Sequence, residues 1–166
     1  MPCQVGIAAD ETTPQELEVL KAYVGTWDAE IETWPAGPDQ PSITVKGVKT
    51  NRAYGTHWIT SDFEVTSNGR KINVHSIVGY DLDKKQLVGT IIDQGPYAAA
   101  MTGTLDPKAN QVSWEIIGKM PDGKTLIQRT VVTQKSADER VLVAKRPGKI
   151  PGESSKYLEI RFKRRK

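Results

Sequence analysis

The sequence predicts an all-β fold, an antiparallel up-and-down barrel of about ten strands preceded by one short helix. Three observations carry this. Apolar residues recur with period two from Trp27 almost to the C-terminus. Turn-forming residues interrupt that pattern at short, even intervals. Helical spacing occurs in one stretch near the N-terminus.

Residues 1–12 have no periodicity and read as a flexible lead-in, leaving 13–166 as a single barrel domain. Thr13-Pro14-Gln15-Glu16 has the form of a helix start. Thr13 is placed as N-cap, Pro14 at the first helical position and Glu16 at the capping-box position. Leu17, Leu20 and Val24 follow on one face, and Gly25 ends the run, so the helix covers about three turns near 14–24.

Strands are expected over 26–34, 42–52, 57–66, 70–79, 86–94, 97–105, 111–118, 124–134, 139–146 and 156–164. Asn68-Gly69 is a hairpin signal, because both central positions of that turn need φ > 0. Asp81 to Lys85, Asp106-Pro107 and Asp122-Gly123 are further turns, and Pro147 to Ser155 is a longer loop. Alternation assigns Trp27, Ala29 and Ile31 to the inside of the first strand, with Asp28, Glu30 and Glu32 outside. It does the same for Ile59, Phe63 and Val65, for Val112, Trp114 and Ile116, and for Leu158, Ile160 and Phe162. Strands five, six and eight alternate poorly, as they would with both faces covered or with one lining a polar interior. Many sequential strands on short loops leave two open edges unless the sheet closes. A two-sheet sandwich is the alternative, and it needs longer crossing loops.

Composition narrows the function classes. The net charge of +3 comes from Lys163, Arg164, Arg165 and Lys166, since without those four the 23 basic residues fall to 19 against 20 acidic ones. A basic stripe over a folded surface is the mark of nucleic-acid binding, and a solvated basic tail is not. Cys3 is the only cysteine, which excludes an intramolecular disulfide and a cysteine-based metal site. No apolar run is long enough to span a bilayer and no export signal is visible, so the expectation is a cytoplasmic protein without a membrane partner. Oligomeric state is not legible.

The phosphate-loop, nucleophile-elbow, zincin and dinucleotide motifs are all missing, so no catalytic residue, metal or cofactor is assigned. Two histidines do not make a zinc site. His57 has the inward parity of Ile59 and Phe63 and is either a cavity acid/base group or a hydrogen-bonded rim histidine. His75, with Lys71 and Asn73 on its face, reads as solvent-facing. Arg129 lies between Ile127 and Val131, and Asp93 follows Ile91, so both are read as inward charges in need of a partner. They form either a structural pair or an anchor for a polar head group, with Tyr80, Tyr97 and Trp114 lining the same pocket.

Gly25-Thr26-Trp27, at the start of the first strand and after a short helix, resembles the calycins, the group of lipocalins and fatty-acid-binding proteins. In that group the Trp closes the barrel floor. The chain resembles more closely the bacterial domain of unknown function 1579. The matching stations are Leu20 with Gly25-Thr26-Trp27, then Gly79-Tyr80-Asp81, Asp93, Gly103 and Arg129. The resemblance implies a lipocalin-like barrel and no particular activity. Haem-binding nitrobindin-like barrels also begin with Gly-x-Trp. Here Asp28-Ala29-Glu30-Ile31 replaces their glycine-rich continuation, and the C-terminal strands carry no histidine to hold iron. The reading is therefore a barrel that binds a small anionic or hydrophobic molecule. The alternatives are a barrel enzyme (isomerase or haem-type chemistry) using His57, and a filled barrel with an interaction role.

Overall fold

A computed structural model describes residues 14–147 and 154–166. Cys3, Thr13, the lead-in over 1–12 and the middle of the 147–155 loop lie outside the described residues. The helix α1 (Gln15–Lys21) is followed by β1 (Gly25–Thr33), β2 (Ile43–Tyr54), β3 (Trp58–Ser67), β4 (Arg70–Asp81) and β5 (Gln86–Ile92). Then come β6 (Ala98–Asp106), β7 (Gln111–Lys119), β8 (Thr125–Ser136), β9 (Glu139–Pro147) and β10 (Ser154–Arg164). The strands form a closed barrel in sequence order, with β10 pairing antiparallel to β1. Closure satisfies both edges that an open meander would leave unpaired.

The helix is shorter than expected, about two turns, and Pro14 stands at its N-cap rather than at its first helical position. Proline has no side-chain acceptor for the orphan amides, and no side-chain cap bond is made. Leu17 and Leu20 are buried and hold the helix against one end of the barrel. The turn chemistry follows the sequence. Asn68 and Gly69 take φ 49° and 73°. The Asp81 carboxylate accepts from the amides of Asp83 and Lys84, and Asp106 accepts from those of Lys108 and Ala109.

Trp27, fully buried, closes the helix end. Its Nε1 donates to the Tyr23 carbonyl at 2.9 Å, and the Asn51 amide donates to the same oxygen at 2.6 Å. Ser61 donates in turn to Asn51 Oδ1 at 2.7 Å, so a buried polar chain ties the helix exit to β2 and β3. The basic C-terminus corrects the expectation of a solvated tail. Arg164 pairs with Trp27 across β1 and β10. Its guanidinium donates to the carbonyls of Ala22, Val24 and Ala137, plugging the seam between helix, β1 and the β8–β9 turn. The Arg165 amide donates to Thr26 and its side chain pairs with Asp28. Charge counted from sequence does not reveal that a terminal arginine is needed to satisfy helix-end carbonyls.

Two family stations have a steric basis. A Cβ on Gly79 would stand 2.4 Å from the His57 carbonyl oxygen and equally close to the Trp58 ring. One on Gly103 would stand 2.8 Å from the Trp114 ring. Both glycines exist to let an indole lie flat on the sheet.

Candidate functional site

Strand pairing fixes which residues look inward. From Trp27, Ala29 and Ile31 the register carries the inward face to Val45, Gly47, Lys49 and Asn51 on β2, then to Ser61 and Phe63 on β3. On the far side it selects Gln128, Thr130 and Val132 on β8, Arg140 and Leu142 on β9, and Ile160 and Phe162 on β10. Helix α1 and Trp27 close one end. Towards the other end the inward residues Ile72 and Leu126 are half exposed and form an apolar rim.

Between these ends lies an interior cavity of about 250 Å³. That is room for about eight waters at roughly 30 Å³ each, near the lower limit for small-ligand sites. Its walls are mainly apolar, including Ile59, Val74, Met101, Trp114 and Ile116. Among the described residues, the only charged side chains lining it are Lys49 and Arg140, and no carboxylate does.

Arg140 is packed by aromatics. Its guanidinium carbon lies 4.1 Å from the Trp27 ring centroid, 4.4 Å from that of Tyr23 and 4.9 Å from that of Phe162. Cation–π contact offsets part of the desolvation cost. It does not satisfy the N–H groups, and Nη1 is buried with no hydrogen-bond partner. Burial, with Arg164 nearby, lowers the Arg140 pKa to about 10, and burial raises the Tyr23 hydroxyl to about 12. Lys49 Nζ is 5.7 Å from the Phe162 centroid and 5.9 Å from that of Phe63, rings that themselves meet at 5.9 Å. Lys49 is enclosed by protein, and its intermediate surface exposure is consistent with contact to the cavity it lines. Desolvation first, and the Arg140 charge second, lower its pKa to about 7. The interior is thus an apolar chamber with two unpaired cationic groups on one aromatic ring.

The residues singled out from sequence are distributed differently. Trp114 is buried and lines the cavity, without Arg129 or Asp93. Arg129 points outward with its side chain 74% exposed, and Nη2 pairs with Glu115 at 3.0 Å. Its inward parity was inferred from Ile127, yet Ile127 is itself an outward residue, 53% exposed. Asp93 lies just past the end of β5, exposed, with Oδ1 accepting from the Gly95 amide at 2.7 Å. Arg129 and Asp93 therefore do not form a pair. Tyr97 is exposed, with Lys119 Nζ 5.7 Å from its ring centre. Tyr80 has inward parity but packs in the core cluster at the helix end. His57 sits in the turn before β3, outside the cavity lining, with Nδ1 2.8 Å from the Thr56 hydroxyl. His75 is exposed and meets Asp62 at 2.7 Å.

Lys49 and Arg140 were missed for a physical reason. Both faces of β9 are apolar around Arg140, with Val141 and Val143 alternating with Leu142 and Ala144, so parity carries no information there. Lys49 did leave a signal, since it shares parity with Val45 and Asn51 on an otherwise outward-charged strand. A larger depression of about 900 Å³ lies on the outside, across β1–β3 and β8–β10. Several of its charges are paired, as in Arg161 with Glu30 and Arg165 with Asp28, and it is open to solvent. Solvent-screened pairs of this kind leave no unsatisfied group to recognise a ligand.

The sequence matches the family described as "Protein of unknown function (DUF1579)" over residues 12–164. The chain belongs to the DUF1579 family. No curated protein matches this DUF1579 chain. Among solved structures, that of Rv2717c from M. tuberculosis is similar, with TM-score 0.64 and 11% identity over 94% of this chain and 100% of that one. At that identity the likeness concerns the barrel alone. A redesigned β-barrel, b11L5F_LGL, aligns over 89% of this chain and 96% of its own at 12% identity, with TM-score 0.48. Among the described residues, no group of three or more His, Cys, Asp or Glu is placed to hold a metal, and no helix is long and apolar enough to cross a membrane.

Proposed function

We propose that this DUF1579 barrel binds a small anionic amphiphile, with its apolar body in the interior cavity and its acid group against Arg140 and Lys49. One observation carries the reading: among the described residues, the cavity is lined by two basic side chains and no carboxylate, and Arg140 Nη1 has no hydrogen-bond partner. A buried donor without an acceptor costs free energy that a bound anion would recover. A planar guanidinium is also suited to grip a carboxylate. An acid group beside Lys49 stabilises its charged form, so binding takes up a proton. Affinity is then highest below neutral pH and declines as Lys49 loses its proton above about 7.

Calorimetric titration with octanoate and with octan-1-ol tests this. The two share an apolar chain and differ in the head group. A hydrogen bond to a charged group contributes about 1.5–3 kcal/mol, so octanoate should bind roughly 10- to 150-fold more tightly, and Arg140→Met should reduce the difference. Equal affinity for acid and alcohol in the unmodified protein would refute the reading.

A further inference from the structure

The amine of Lys49 has a second use that does not need an anionic ligand. Primary amines condense with carbonyls when three conditions are met: the nitrogen is unprotonated, the carbonyl is held beside it, and water is scarce. The barrel brings a desolvated amine and an apolar cavity wall together at one point. Lys49 Nζ is enclosed beside the rings of Phe63 and Phe162, at the wall of a cavity otherwise lined by apolar and uncharged polar groups. Among the described residues, no carboxylate lines that cavity to hold the amine as an ammonium. The titratable side chains that line it with Lys49 are Arg140 from β9 and Tyr23 from the segment after α1. The first is a cation and disfavours a second positive charge nearby. The second is a phenol kept neutral by burial. Arg140 also shares the Phe162 ring with Lys49, and its Nη1 is buried without a hydrogen-bond partner among the described residues.

We propose that Lys49 is a site of reversible imine formation, taking a small apolar aldehyde into the barrel interior. The Nζ lone pair attacks the carbonyl carbon, and the C=O π pair moves to the oxygen. A proton passes from nitrogen to that oxygen, giving a carbinolamine. Loss of the oxygen as water, with two protons, leaves the C=N bond. The sum is amine plus aldehyde to imine plus water, with no oxidation or reduction. The proposal rests on the cavity as a ligand chamber, as the preceding reading does, but not on the acid group. Burial supports it independently, since an amine lowered to about 7 is half unprotonated at neutral pH. An ordinary surface lysine has on the order of a thousandfold less free amine at that pH. The less basic amine is also the weaker nucleophile, which leaves a net advantage of about thirty- to sixtyfold.

The test treats the full chain with one equivalent of hexanal and cyanoborohydride at pH 7, which fixes any imine as a secondary amine. Intact mass and peptide mapping then locate the adduct. We expect one hexyl group, on Lys49, formed about thirty- to sixtyfold faster than on any surface lysine. It should slow sharply at pH 5 and be lost in Lys49→Met. An adduct spread over surface lysines without preference for Lys49 overturns the proposal, and the mapping decides this without any variant. Repeating the reaction with saturating octanoate separates the two readings. Protection of Lys49 by octanoate supports both. Labelling that octanoate leaves unchanged supports the imine and refutes the anion site. Octanoate binding without hexanal labelling does the reverse.

Discussion

Replacing Lys49 by Met should stabilise the barrel. In the unfolded chain the amine is fully hydrated, with a pKa near 10.5, whereas in the fold desolvation and Arg140 bring it to about 7. A group whose proton is bound less tightly in the folded state makes stability rise with pH. Below pH 7 the amine is charged in both states and the whole penalty applies. Between 7 and 10.5 the folded protein has already released the proton and the penalty shrinks. Above 10.5 it is gone. Linkage puts the cost at roughly 4 kcal/mol at pH 7 and about 2 kcal/mol at pH 9, and water in the cavity makes these upper values. Met matches the length of Lys and fills the same space between Phe63 and Phe162 without a charge. Urea denaturation of both proteins at pH 6, 7, 8 and 9 checks the argument. The variant should be more stable by a few kcal/mol at pH 7, and the gap should narrow by about 2 kcal/mol towards pH 9. A gap that is absent, or constant with pH, would show that Lys49 reaches bulk water and is not a buried amine.

Two further outcomes follow from the packing. Arg164→Ala removes charged donors from the carbonyls of Ala22, Val24 and Ala137, so thermal unfolding should show a loss of about 2–4 kcal/mol, and removing residues 163–166 should cost at least as much. Gly103→Ala places a methyl group 2.8 Å from the Trp114 ring at the cavity wall, and should cost about 1–3 kcal/mol in the same assay while perturbing tryptophan fluorescence.

The sequence by itself determined the barrel. Period-two patterning and Asx or Gly turns are local properties, and they placed each strand to within two residues of its observed ends. The hairpin at Asn68-Gly69 and the Asp-led turns were readable because their backbone requirements are met by residues within the turn. The inward placement of Trp27 and Trp114 was readable because Ala29 and Ile31 on β1, and Val112 on β7, share their parity and alternate with polar residues. Other features depended on the whole sheet. Ile92, Ile117 and Ile127 are apolar yet outward, about half exposed, so on β5, β7 and β8 hydrophobicity did not mark the inside. That is why Arg129 was expected within and is found without; Asp93 shares the parity of the inward Ile91 but lies past the end of β5. Only the register, transmitted strand by strand around a closed ring, brings Lys49 of β2 and Arg140 of β9 to one aromatic ring. Their separation of some ninety residues leaves no local trace. Nor does the sequence show that Arg164 seals the end opposite the rim, because its acceptors are carbonyls exposed only when the helix stops against the barrel. Local chemistry chose the elements; closure chose which side chains share the interior, and those side chains set the chemistry of the cavity.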